Sequence, residues 1–335
     1  MMNDSGDLEK KTPNPIVVSS ATRLDWYRQM CRIRAFEREV LGLSKAGLLA
    51  GTAHLYIGME AIAVGSCSAM REGDLLTSTH RGHGHSIACG LDLGRMMAEI
   101  LGRADGYCGG KGGSMHITDI SRGMLGADGI VGGGIPIAVG AALGMRLRGR
   151  SHSVVFCFFG EGASNQGTFH EALNLAAVNH LPVLFICENN LWALSASFEE
   201  VTAGKSVANR AASYGIPGYT LDGNDVEAVF QTVSASSVRA ADGAGPCLIE
   251  CISYRWESHS IIPRQEIRSK KEIEGWKQRD PIARYLELLL ERGHATAEEL
   301  SQIDSEVTAE AARATAFAKG SPIPDVGRAF QDVYT

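Results

Sequence analysis

A chain of 335 residues, 44% hydrophobic and 21% charged, has the make-up of a globular protein and room for about two domains. Its formal net charge of -6, with no block of Lys and Arg, argues against a nucleic-acid surface, and no apolar run reaches the about 18 residues of a membrane span. Eight scattered cysteines without a CxxC pair argue against zinc and disulfide frameworks and for a reducing, cytoplasmic setting.

Residues 1–20 are polar, carry Asp4, Asp7 and Glu9, and have neither a signal peptide's apolar stretch nor an Arg-rich transit composition. They read as a flexible arm ahead of one domain over 21–335. Residues 24–49 place Met30, Ile33, Phe36, Val40 and Leu43 at helical spacing. A glycine-dense centre follows: many of the 39 glycines fall between Gly82 and Gly167, which suits backbone that must approach a ligand. Residues 153–159 form an apolar run ending at Gly160 and read as a buried strand. Residues 166–179 read as a helix with Phe169, Leu173 and Ala176 on one face, and 181–187 as a second buried strand. Strand, glycine turn, helix and strand make a βαβ unit, so the expected fold is α/β, a doubly wound parallel sheet with helices on both faces. Residues 206–214 and 225–236 look helical, 219–222 and 246–254 strand-like. From about 280 the tail is helical. Asp280-Pro281 is a cap with proline at the first helical position, Gly293 is a stop, and Thr296 to Glu299 has capping-box spacing. The last stripe is Leu300, Ile303, Val307, Ala311, Ala314 and Phe317, ending at Gly320.

Ligands of open parallel sheets sit beyond the carboxyl ends of the strands. The two predicted strands of the βαβ unit end in Gly160-Glu161-Gly162-Ala163-Ser164-Asn165 and Glu188-Asn189-Asn190-Leu191-Trp192. On adjacent strands, Glu161 and Asn190 converge as one charged and one neutral oxygen donor, a pair suited to a hard cation such as magnesium. Flanking glycines let backbone amides reach a diphosphate. A nicotinamide site is the rival reading. It lacks the third glycine of its fingerprint, because Asn165 stands there. A turn-glycine pair beside a solvated acid is the plainest alternative. The string Gly109 to Ser114 mimics a phosphate loop around Lys111 but has the wrong spacing for one.

Gly-acid-Gly followed, 29 positions after the acid, by the second of two asparagines resembles the thiamine-diphosphate motif. The resemblance is to the alpha subunit of the decarboxylating component of 2-oxo acid and acetoin dehydrogenase complexes, and it runs from about residue 24 to 284. It is carried by Ser78-Thr79-His80-Arg81-Gly82-His83-Gly84-His85, by Gly110-Lys111-Gly112-Gly113-Ser114-Met115-His116, by Gly129-Ile130-Val131-Gly132, and by Phe185 to Asn190. It implies that Glu161, Asn190 and the Trp192 carbonyl bind Mg2+. Gly162 and Ala163, with His80 and Arg81, would meet the diphosphate, and the backbone at Gly129 and Val131 the aminopyrimidine. His54, His80 and His259 would stand near the reacting carbon as catalytic groups, His259 also touching the cofactor. His83, His85 and His116, close to motif residues, read either as groups that support the site from behind or as groups that order its loops.

The resemblance further implies cleavage of acetoin or a short 2-oxo acid such as pyruvate and acyl transfer to a lipoyl-bearing acyltransferase. It also implies a beta subunit that supplies the missing half of the site in an α2β2 assembly. Three departures stand out: Glu161 replaces the usual Asp, Leu191 to Leu194 replaces a Gly/Arg-Tyr run, and Trp256 to Ser260 lacks the usual His-Gly-His string. They motivate two alternatives, a repurposed cofactor-binding homologue and a lipoyl-independent carboligase or decarboxylase.

Overall fold

Three segments are apolar at nearly every position: Val155–Gly160, Val183–Asn189 and Cys247–Ile252. Such runs form strands covered on both faces, and parallel sheets need that cover because their crossover helices lie over them. The computed structural model describes residues 15–49, 51–150, 152–262 and 265–332. Its strands are β1 (Leu75–Thr79), β2 (Met124–Asp128), β3 (Val155–Gly160), β4 (Val183–Asn189), β5 (Trp192–Ala193), β6 (Ala196–Ser197), β7 (Gly218–Asp222) and β8 (Cys247–Ile252). Six of them make one sheet in the order β2-β1-β3-β4-β8-β7, every pair parallel. The short pair β5 and β6 is an antiparallel ribbon beside it.

The helices are α1 (Ser20–Lys45), α2 (Glu60–Cys67), α3 (His83–Ala88), α4 (Leu93–Ile100), α5 (Gly134–Leu147), α6 (Gly167–Val178), α7 (Phe198–Val201), α8 (Val226–Arg239), α9 (Lys270–Lys277), α10 (Pro281–Glu291) and α11 (Ala297–Gly320). Alternation along β3 divides the core in two. Phe156 and Phe158 join the cluster built with α1, α2, α4, α8 and α11, while Val155, Cys157 and Phe159 join the one built with α5 and α6. Helices therefore cover both faces of the sheet.

The first helix begins four residues earlier than its apolar pattern, because Ser19 caps it by accepting from the Thr22 N–H. Its predicted stripe is buried throughout. Of the arm expected over residues 1–20, residues 1–14 lie outside the described residues. Residues 15–19 are tied down: the Gln231 side chain exchanges two hydrogen bonds with the backbone of Ile16, and Val18 is buried. Residues 208–214, expected as a helix from 206, form a tighter 3-10 turn. In the tail, Asp280 caps α10 with Pro281 following, and Thr296 with Glu299 forms the capping box of α11. Phe317 departs from its expected stripe. It is 47% exposed, and Ala318 and Thr315 face inward instead. None of the described helices is long and apolar enough to cross a membrane, and all eight cysteines are free thiols.

The chain passes from β1 outward to β2, then back across β1 to β3 and on to β4. The direction of winding thus reverses between β1 and β3, which opens a crevice beyond their carboxyl ends.

Candidate functional site at the strand ends

A cavity of about 290 Å³ occupies that crevice. Its walls come from the ends of β1 (Ser78 and Thr79), β2 (Asp128), β3 (Gly160) and β4 (Glu188), and from the segments that follow them. Glu161, Gly162, Ala163, Asn190, Trp192, His80, Arg81, Val131 and His259 all line it. Gly129 sits between two lining residues, Asp128 and Ile130, without lining the cavity itself.

Gly160 pairs with Glu188 across β3 and β4, so the next residues on each strand emerge side by side. Glu161 opens a 3-10 turn, Glu161–Asn165, and is 2% exposed. One of its carboxylate oxygens accepts the Asn190 backbone N–H at 3.2 Å. Burial pushes the Glu161 carboxyl up to about 7, although the backbone donors and the Arg255 and Arg81 charges pull the other way. Asn190 Oδ1 is buried and accepts no hydrogen bond among the described residues. An orphaned amide oxygen is costly unless something fills its lone pairs. A carboxyl oxygen and an unpartnered amide oxygen, on adjacent strand ends, fit a hard divalent cation. The backbone beside them is shaped for close approach. A Cβ at Gly162 would fall 2.8 Å from the Ala193 Cβ, whereas one at Gly160 would meet no protein atom within 4 Å.

Arg81 follows the β1 end and is 4% exposed. It donates to the Leu55 carbonyl (2.7 Å) and the His259 carbonyl (3.0 Å), which among the described residues engages two of its five N–H groups and leaves three to meet an anion. Burial lowers it to about 10, with Glu37, Glu188 and Glu161 acting in the opposite sense.

His54, His80 and His259 come together, with ring centroids 4.7, 4.9 and 5.4 Å apart. Burial, then the Arg81 charge, lowers His54 to about 3 and His80 to about 2, so both imidazoles are neutral at physiological pH. The loop bearing His259 is fastened despite its unusual sequence. Arg268 donates to the carbonyls of Arg255, Trp256 and Glu257, and the Ile261 N–H bonds the Ala53 carbonyl at 3.0 Å. Neither Glu257 nor Ser258 lines the cavity.

The remaining histidines of the motifs order the site from behind. His83 is paired with Glu37 (3.0 Å) and with Ser114 (2.9 Å). His85 sits between Ser78 (2.8 Å) and Glu188 (3.2 Å), and Glu188 also accepts from the Tyr56 hydroxyl. His116 Nδ1 meets the Ala127 carbonyl at 3.1 Å. Lys111 lies away from the cavity, bonding Asp332 and the Gln331 carbonyl. Its glycine string is shaped by Glu99, whose carboxylate accepts the N–H groups of Cys108, Gly110, Gly112 and Gly113.

Glu37, Glu188 and Arg255 are the contributors that sequence reasoning did not single out. Arg255 is 2% exposed, and burial and the neighbouring Arg81 lower it to about 9. The available signal was position, since Glu188 and Arg255 are charges at or just beyond the carboxyl ends of apolar strands.

A parallel sheet whose switch-point crevice pairs oxygen donors with a buried arginine and three imidazoles defines a cofactor-type enzyme site. The chain belongs to the dehydrogenase E1 component family, whose pattern matches residues 28–327, and is an oxidoreductase subunit. It is 48% identical to the alpha subunit of acetoin:2,6-dichlorophenolindophenol oxidoreductase from Bacillus subtilis, over 92% of each chain. The corresponding alpha subunit from Cupriavidus necator is 44% identical over 93% of this chain and 94% of its own. The pyruvate dehydrogenase E1 component subunit alpha of Rhizobium meliloti is 40% identical over 92% and 88%. The chain is accordingly of the alpha-subunit type.

Proposed function

We propose that this chain is the alpha subunit of a thiamine-diphosphate-dependent dehydrogenase that cleaves acetoin, or a short 2-oxo acid such as pyruvate, and passes the acyl unit to a lipoyl-bearing acyltransferase. The observation that carries the cofactor assignment is the unpartnered Asn190 Oδ1 beside the buried Glu161 carboxylate. The greater identity to the acetoin-named relatives favours acetoin as substrate.

In this reading Glu161, Asn190 and the Trp192 carbonyl hold Mg2+, and the backbone at Gly162 and Ala163 with His80 and Arg81 holds the diphosphate. The backbone at Gly129 and Val131 orients the aminopyrimidine. When bound, the cofactor would supply a carbon nucleophile and an electron sink for carbon–carbon cleavage. The protein's part is to bind and orient. The three free N–H groups of Arg81 meet phosphate oxygens as a fixed fork. His54 and His80, being neutral, hydrogen-bond a substrate oxygen without adding charge, and His259 completes that catalytic wall.

A beta subunit supplies the other half of the site, in an α2β2 assembly in the cytoplasm. Residues 21–335 form one domain of the doubly wound, diphosphate-binding type, with the helices from about 280 as its tail.

The test is co-production with the beta subunit, followed by dye reduction with acetoin, pyruvate and branched 2-oxo acids. Turnover is expected with acetoin foremost and none from this chain alone. Saturable, magnesium-dependent cofactor binding without turnover on any substrate indicates a repurposed homologue instead. Carboligation of pyruvate without a lipoyl component indicates the lipoyl-independent enzyme. Calorimetry tests the site directly: Asn190→Ala should abolish magnesium-dependent cofactor binding, and an unchanged affinity rejects the assignment.

A further inference from the structure

The three histidines at the cavity wall have a property that hydrogen bonding to a substrate does not require. One ring nitrogen from each of His54, His80 and His259 can be chosen so that all three lie within 4.8 Å of one another. His54 is 7% exposed, and its Nδ1 has no hydrogen-bond partner among the described residues. His80 and His259 are half-buried and line the cavity, so the cluster is reachable from it. Tetrahedral ligands at about 2.0–2.1 Å from an ion stand about 3.3 Å apart, so closing the cluster needs movements of about 1.5 Å, within the reach of small side-chain rotations.

We propose that His54, His80 and His259 form a second cation site, a three-imidazole site for a transition-metal dication of the zinc class. Its donor chemistry separates it from the Glu161–Asn190 pair. Two oxygens suit magnesium, whereas three imidazole nitrogens suit zinc, cobalt or nickel and discriminate against magnesium. The Arg81 guanidinium nearby opposes a dication, and the carboxylates of Glu37, Glu188 and Glu161 offset it. A fourth position, facing the cavity, stays open for water or a substrate oxygen, as in zinc sites with three protein ligands. Because the ion would sit in the cavity wall, its binding blocks the approach to the strand ends, and a chelator restores it.

Cobalt(II) serves as the probe, titrated into the full-length chain with magnesium in large excess. A visible d–d band that saturates at one equivalent and is displaced by zinc is expected. His54→Gln and His259→Gln should each remove the band, and Glu161→Gln should leave it. On the unaltered protein, proton NMR of the cobalt form should show three hyperfine-shifted imidazole N–H signals that vanish in deuterium oxide. This second measurement requires no variant to fold. No saturable band, fewer than three such signals, or a band that Glu161→Gln removes and His54→Gln does not, would overturn the proposal.

Discussion

At the residue scale, two non-glycine residues beside the site hold left-handed backbone: Leu191 at φ 68° and Leu194 at φ 57°. Leu191 is held by two bonds, its N–H to Asn189 Oδ1 and its carbonyl to the Phe198 N–H. Leu194 stands in the turn between β5 and β6, where glycine is the usual occupant of a positive-φ position. Leu194→Gly is therefore expected to stabilise the chain by about 1 kcal/mol, or roughly 2 °C in Tm, read by thermal unfolding. A lower Tm would show that the half-exposed leucine contributes more by packing than its backbone loses. Glu266 gives a pH-dependent case. The Arg268 fork holds its carboxyl down to about 2, with burial acting the other way. Its folded value lies below the unfolded one near 4.3, so its contribution is present at neutral pH and fades as pH falls from about 4.3 towards 2. Glu266→Gln should thus be less stable than the parent at pH 7, with the gap closing in acid; a constant gap contradicts the assignment. That Glu161 and Asn190 stand side by side was legible in the sequence, because each follows or ends an apolar strand of one βαβ unit. Glu37 was not, because one carboxylate among the many charges of the amphipathic helix α1 reads as surface until Tyr56 and His83 are seen bonded to it.

At the element scale, α1 is locked to α2 and α10 through one side chain. Arg34 donates to Glu60, which is fully buried, and to the Asp280 cap at 3.1 Å, with the Trp256 ring 4.3 Å from its guanidinium carbon. Removing the arginine strands the Glu60 charge, so Arg34→Met should cost about 3–5 kcal/mol in urea unfolding. Arg34→Met combined with Glu60→Gln should recover part of that loss; equal losses in the single and double variants would locate the effect in packing. The strands β3, β4 and β8 were readable because burial on both faces makes them continuously apolar. The strand β1 was not, although it stands inside the sheet. Its Leu-Leu-Thr-Ser-Thr run buries Thr77 and Ser78, and the Ser78 hydroxyl is matched to His85. A strand that turns hydroxyls toward a site loses the pattern by which strands are recognised.

At the scale of the whole molecule, the proposed cofactor acts as a thermodynamic brace. Thiamine diphosphate at about 100 times its Kd with magnesium present should raise stability by about 2.7 kcal/mol, and EDTA should abolish the gain. A gain that persists in EDTA would mean that the cofactor binds without the oxygen pair. The fold class followed from the βαβ unit alone, whereas the strand order did not. Nothing in the composition of β8 announces that it inserts between β4 and β7.

That insertion has a consequence during synthesis. The apolar edge of β4 is complete at residue 189, but its neighbour β8 ends only at residue 252. At roughly 5–20 residues per second, a nascent chain carries that edge unpaired for about 3–13 seconds. An open, apolar strand edge is a template for pairing with another chain. Ribosomes that stall between these two points would release fragments with the centre of the sheet exposed, and such fragments should aggregate where the finished chain does not.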